Sequence, residues 1–141
     1  MQKLQDGPIN ALKLLCEFEI KSLPPTINEI GRKHWAVKSN IAKRWIALVW
    51  HCCVLHKVAE LDLLMARLEL TRHSSRECDF DNLASSFKHV IDGLVRARVI
   101  RDDKPSIIGS PVFKWEKAKK GQGKITVKVF TLGTQSPKGS D

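Results

Sequence analysis

The chain is 141 residues long, enough for one domain with a single hydrophobic core. Its 24 Lys and Arg against 15 Asp and Glu leave a net charge of +9, which favours a polyanionic partner; the plain alternative is a basic protein without one. The longest apolar run, Ile46 to Trp50, stops at His51, the N-terminus lacks a signal-peptide pattern, and Cys16, Cys52, Cys53 and Cys78 show no CxxC spacing, so the reading excludes a membrane span, a secretory leader and a disulfide framework.

Residues 1–10 read as a loose polar arm, and a strand could begin anywhere from Ala11 to Leu15. From Leu15 to Ile20 apolar and charged residues alternate, with Cys16, Phe18 and Ile20 on one side and Glu17, Glu19 and Lys21 on the other. Pro24-Pro25 ends that strand. The loop to His34 carries Asn28, Gly31, Arg32 and Lys33. A long helix is expected from Asn40 to Val58, capped by Ser39 or Asn40, with Ile41, Trp45, Leu48, Val49, Cys52 and His56 on one stripe and Lys38 just before it.

Leu61 to Arg72 reads as a second strand, with Leu64, Ala66, Leu68 and Leu70 opposite Arg67, Glu69 and Thr71. A polar link, His73 to Arg76, follows. Asn82 to Val99 has helical spacing at Leu83, Phe87, Val90, Ile91, Leu94 and Arg98, and Asp81 is placed to cap it. Ser106 to Trp115 and Lys124 to Leu132 read as strands joined by a basic hairpin loop bearing Lys117, Lys119 and Lys120. Residues 133–141 have linker composition and read as a frayed tail. The order β-α-β-α-β-β predicts an α+β domain over residues 11–132, two long helices against a small mixed sheet.

Acid is crowded into few places on this basic chain: Asp79-Phe80-Asp81-Asn82-Leu83, then Asp102-Asp103. In an extended segment Asp79 and Asp81 would project to one side, roughly 6–7 Å apart, a spacing that lets two hard carboxylates flank one divalent ion. The alternative is a helix cap with a solvated neighbour. Carboxylates for metal on a surface basic enough for phosphates together suggest a metal-dependent nuclease.

The run Arg76-Glu77-Cys78-Asp79-Phe80-Asp81-Asn82-Leu83, the helix Lys88-His89-Val90-Ile91-Asp92-Gly93-Leu94, and Val99-Ile100-Arg101-Asp102-Asp103 resemble the RusA family of Holliday-junction resolvases. Leu23-Pro24-Pro25-Thr26-Ile27-Asn28 looks like that family's loop after the first strand. The resemblance covers about three quarters of the chain. It implies a RusA-like fold and a homodimeric endonuclease that nicks four-way DNA junctions, using magnesium or manganese in its place. It also implies a cytoplasmic protein of bacterial or phage origin. The family's metal-binding, catalytic aspartates carry over onto Asp79, Asp81 and Asp103, where the ion would activate water for in-line attack on a phosphodiester.

The family's functional lysine is expected about four residues after its second aspartate. Here Lys88 stands seven residues after Asp81, and Ser85 occupies the nearer position. In a continuous helix both return to the face of Asp81, Lys88 about one turn further on. The alternative for Lys88 is a surface pair with Asp92. A helix from Asn82 to Val99 would be roughly 27 Å long, and the four residues to Asp103 reach back about 13 Å at most. Asp103 therefore joins Asp79 and Asp81 either across a dimer or after a helix break, for instance near Gly93.

Phosphate contacts are expected from Arg32, Lys33, Lys38, Arg76, Lys117, Lys119 and Lys120. Trp35, among Arg32, Lys33 and His34, either packs or stacks on an exposed base; Trp45 and Trp50 are expected in the core. His51, Cys52, Cys53 and His56 suggest zinc only if two further ligands join them, and buried helix cysteines are commoner. Two other functions remain open: a non-catalytic DNA-binding module, and a nuclease for flaps or single strands.

Overall fold

The structure, a computed structural model, describes residues 12–132. The expected arm at 1–10 and tail at 133–141 lie outside the described residues. In chain order the elements are β1 (Leu12–Ile20), α1 (Ile27–Ile30), α2 (Trp35–Leu55), β2 (Ala66–Ser74), α3 (Phe80–Ser86), α4 (Lys88–Arg96), α5 (Pro105–Ile108), β3 (Val112–Lys117) and β4 (Lys124–Leu132). They form a mixed α+β fold around one four-stranded sheet ordered β1-β4-β2-β3. Among the described residues no helix is long and apolar enough to cross a membrane.

β2 takes a central place because none of its nine residues is exposed, whereas β3 exposes four of its six and lies at an edge. β2 pairs antiparallel with β4 and parallel with β3. The expected hairpin is therefore absent: residues 118–123 cross the C-terminal end of β2, and the Ala118 N–H donates to the Ser74 carbonyl at 3.0 Å. In β1 the register shifts between Leu14 and Cys16, so the inward alternation starts only at Cys16 although the strand begins at Leu12.

Inward residues of the sheet (Phe18, Leu68, Leu70, Ile125, Val127, Val129) meet Trp45, Val49 and Cys53 of α2 and Val90 and Leu94 of α4 in one core. α2 begins five residues before the expected Asn40 because the His34 imidazole caps it, Nδ1 accepting from the Ala36 N–H at 3.1 Å. The second long helix is broken at Phe87, not near Gly93. The Phe87 N–H donates to the Ala84 carbonyl, which tightens the turn, while its fully buried ring stacks on Phe113 at 5.9 Å. Gly93 instead permits close helix packing: a Cβ there would lie 2.7 Å from the Val49 Cβ.

The stretch from Ser106 does not run on as a strand to Trp115. Pro105 starts the short α5, and Gly109 ends it at φ 61, against the Arg67 guanidinium. Leu64 falls outside β2 and is exposed. Trp50 is also half exposed rather than in the core, since it is off the Trp45, Val49, Cys53 stripe that repeats every four residues.

Candidate functional site

Asp79, not Asp81, caps the helix that follows. Its backbone is extended (φ −68, ψ 169), and its carboxylate accepts from the Asn82 backbone N–H at 2.9 Å. Asp81 is already in the first turn of α3, so the two side chains do not project from one side of an extended segment. Both are exposed. A carboxylate has about four lone-pair sites, so capping leaves Asp79 with oxygen capacity to spare. Each is a hard, accessible oxygen donor of the type magnesium takes, one or two at a time, beside waters and phosphate oxygens.

Asn82 is the residue that sequence reasoning passed over. Its side-chain amide donates to the two Asp79 oxygens at 3.1 and 3.2 Å, and its own Oδ1 accepts from the Asn28 backbone N–H at 3.2 Å. Asn82 is buried, so these bonds are shielded from competing water. The loop leading into α1, which bears Asn28, is pinned in turn by the buried Arg72 guanidinium, which donates to the Pro24 carbonyl. Burial pulls the Arg72 pKa below its ordinary value, with Cys78 and Glu29 working against that shift. The position of Asp79 thus depends on a bond between residues 54 apart. The asparagine after Asp-x-Asp was the available signal.

The C-terminal end of β2 gathers most of the expected phosphate contacts around this motif. Lys117 Nζ donates to the Ser75 carbonyl at 2.7 Å, and the Ser74 hydroxyl donates to the Arg76 carbonyl at 2.8 Å, which brings Lys117 and Arg76 to the chain just before Asp79. Residues 118–123, with Lys119 and Lys120, cross the same end. Gly123 lies against Leu23, so that crossing abuts the loop leading to Arg32 and Lys33. Arg32, Lys33, Arg76, Lys117, Lys119 and Lys120 are all exposed, and Lys38 is half-buried in α2.

Asp103 is elsewhere. Leu63 and Ile100 form a parallel bridge, and the Arg101 N–H donates to the Leu63 carbonyl at 3.0 Å, which fixes this segment at the start of β2. The buried Asp62 carboxylate holds the Arg101 guanidinium at 2.7 Å. The Asp103 N–H then donates to Asp102 Oδ1 at 2.8 Å. That backbone hydrogen bond, followed by the Asp103 side chain and Lys104, holds the Asp102 carboxyl below its ordinary range. Phe80, between Asp79 and Asp81, lies instead against Phe113 of β3, with ring centroids 6.4 Å apart, and Phe113 pairs with Leu70 of β2. Among the described residues no group of three or more His, Cys, Asp or Glu is close enough to hold a metal ion.

Lys88 opens α4 beyond the break at Phe87, so it does not share a helix with Asp81, and the continuous-helix alignment fails. Its ammonium is exposed and stands 3.5 Å from Asp92. The Ser85 hydroxyl donates to the Asn82 carbonyl of its own helix at 3.2 Å. His51, Cys52, Cys53 and His56 form no metal group among the described residues. Burial, helped by Cys16 and Cys52, pushes the Cys53 thiol up to about 12, which disfavours the thiolate that zinc needs. Trp35 does not pack: it is 73% exposed.

No protein-family model and no curated protein matches the chain.

Proposed function

We propose that the chain is a magnesium-dependent endonuclease that nicks four-way DNA junctions as a homodimer. The observation that carries this reading is that exposed Asp79 and Asp81 follow exposed Arg76 directly in the chain, and that Lys117 reaches the Ser75 carbonyl just before them. Such an arrangement places hard acids for a cation inside a field that attracts phosphate. The motif resemblance to RusA resolvases adds the substrate class and the RusA-like form of the fold.

Asp79 and Asp81 would hold the ion, which supplies water activation and charge stabilisation at the phosphodiester when bound. Asn82 orients Asp79 and is a positioning residue. The cations hold the DNA backbone and so set register rather than sequence preference. Lys88, 68% exposed and 3.5 Å from Asp92, would exchange that exposed pair for a phosphate oxygen. Asp103 would complete the site from the second subunit, because in its own chain the Leu63–Ile100 bridge holds its segment near the start of β2. A two-fold dimer would then offer two equivalent centres to a two-fold-like junction.

The separation of Asp103 within one chain also favours a second reading, a DNA-binding module that never assembles three carboxylates. Matched four-way junction, flap and duplex substrates with and without magnesium decide between them. Magnesium-dependent nicks confined to the junction are expected. Equal cutting of the flap identifies a flap nuclease, and binding without cutting in magnesium or manganese identifies the module.

A further inference from the structure

Trp35 is the most exposed large hydrophobic side chain among the described residues, at 73%, although tryptophan usually buries most of its large apolar surface. Its one ring neighbour is His34, with centroids 5.5 Å apart and planes 37° from parallel. His34 is itself held by the Ala36 N–H, and Trp35 is the first residue of the 21-residue α2, so the indole stands on a fixed base. Arg32 and Lys33 are exposed just before it, Lys38 is half-buried one turn on, and no acid lies in the first turn of α2. An exposed aromatic among cations on a rigid element suits a nucleobase on a held backbone, because every base has a stackable face.

The position also fits. Asn28, bonded to Asn82 beside Asp79, is joined to Trp35 by the short α1 and a turn closed by the Lys33 N–H to the Ile30 carbonyl. That path is no longer than about 20 Å. Asn82 bridges the near end of that path to Asp79, so Trp35 and the acidic motif are set on one connected stretch of the molecule. Paired bases within a duplex keep their faces covered by their neighbours, so a stacking indole discriminates in favour of unpaired ones.

We infer that Trp35 is a stacking platform for an unpaired base, making it a determinant of selection for branched or single-stranded DNA over duplex. The inference rests on the DNA-binding reading above. Its test is equilibrium binding in chelator, without cleavage, of a single-stranded thymidine oligonucleotide, a four-way junction and a blunt duplex. Wild type, Trp35→Ala, Trp35→Phe and the Lys117/Lys119/Lys120 triple alanine variant are compared, each with its thermal melt.

Trp35→Ala is expected to lose about tenfold in single-strand affinity and to leave duplex affinity and the salt slope unchanged. Trp35→Phe should recover most of the loss. Equal losses on single strand and duplex, or no loss on either while the triple variant weakens both, would overturn the stacking role and leave the nuclease proposal standing. A wild type that binds none of the three DNAs overturns both.

Discussion

Asp79 serves as a helix cap and as a candidate metal ligand with one carboxylate, and those roles respond differently to substitution. Asn caps as well as Asp, so Asp79→Asn should change stability by only about 0.5 kcal/mol. Cleavage should nonetheless be abolished, as in Asp81→Asn and Asp103→Asn, with junction affinity kept or raised because repulsion from phosphate is relieved. Gel-shift binding and nicking assays on the same preparations check this; near wild-type cutting at saturating magnesium would remove the residue from the site. Asn82→Leu leaves the Asn28 N–H and the Asp79 carboxylate without their side-chain partner. It should cost about 1–3 kcal/mol in a denaturant titration and slow nicking as well. The candidate acids were legible because they stand in a motif on a chain whose basic residues outnumber its acids. The cap was not, since either aspartate has the chemistry, and the Asn82 to Asn28 bond exists only once distant segments meet.

Among the elements, β4 was legible to the residue, and the inward set Cys16, Phe18 and Ile20 emerged from alternation alone. Period-2 and period-4 patterns record burial, not pairing. They therefore missed the crossing of β2 by residues 118–123 and the break at Phe87, where a buried ring takes the helical position but the backbone turns. The crossing has a measurable consequence. Replacing Lys117, Lys119 and Lys120 with alanine should flatten the slope of log affinity against log salt by up to about 2.7, at roughly 0.9 per phosphate contact. An unchanged slope would take this segment out of the DNA interface. Across the sheet, Glu69 meets Lys114 of β3 at 3.2 Å and Lys128 of β4 at 3.4 Å. Burial alone would raise its pKa, but the two lysines outweigh burial and lower it below the ordinary 4.5. A depressed folded pKa stabilises the fold above pH 4.5, and that contribution is lost as pH falls through the folded value. Glu69→Gln should therefore lower the melting temperature at pH 7 and narrow its gap to wild type on acidification below 4.5; a gap independent of pH would contradict the linkage.

For the whole molecule, the telling fact is that among the described residues of one chain no three acids stand close enough together to hold a metal ion. Arg101, anchored by Asp62, holds the segment of Asp103 near the start of β2, and the Asn82 network holds Asp79 to the Asn28 backbone. On the proposed reading, a catalytic centre built from all three aspartates is shared between two copies of the chain. Mixing inactive Asp79→Asn and Asp103→Asn homodimers and allowing verified subunit exchange tests this most directly. In a shared site each heterodimer has one intact centre and one doubly damaged one, so single-strand nicking of a four-way junction should return. No nicking after exchange would contradict the shared site, with wild type assayed alongside to show that the junction is cut at all.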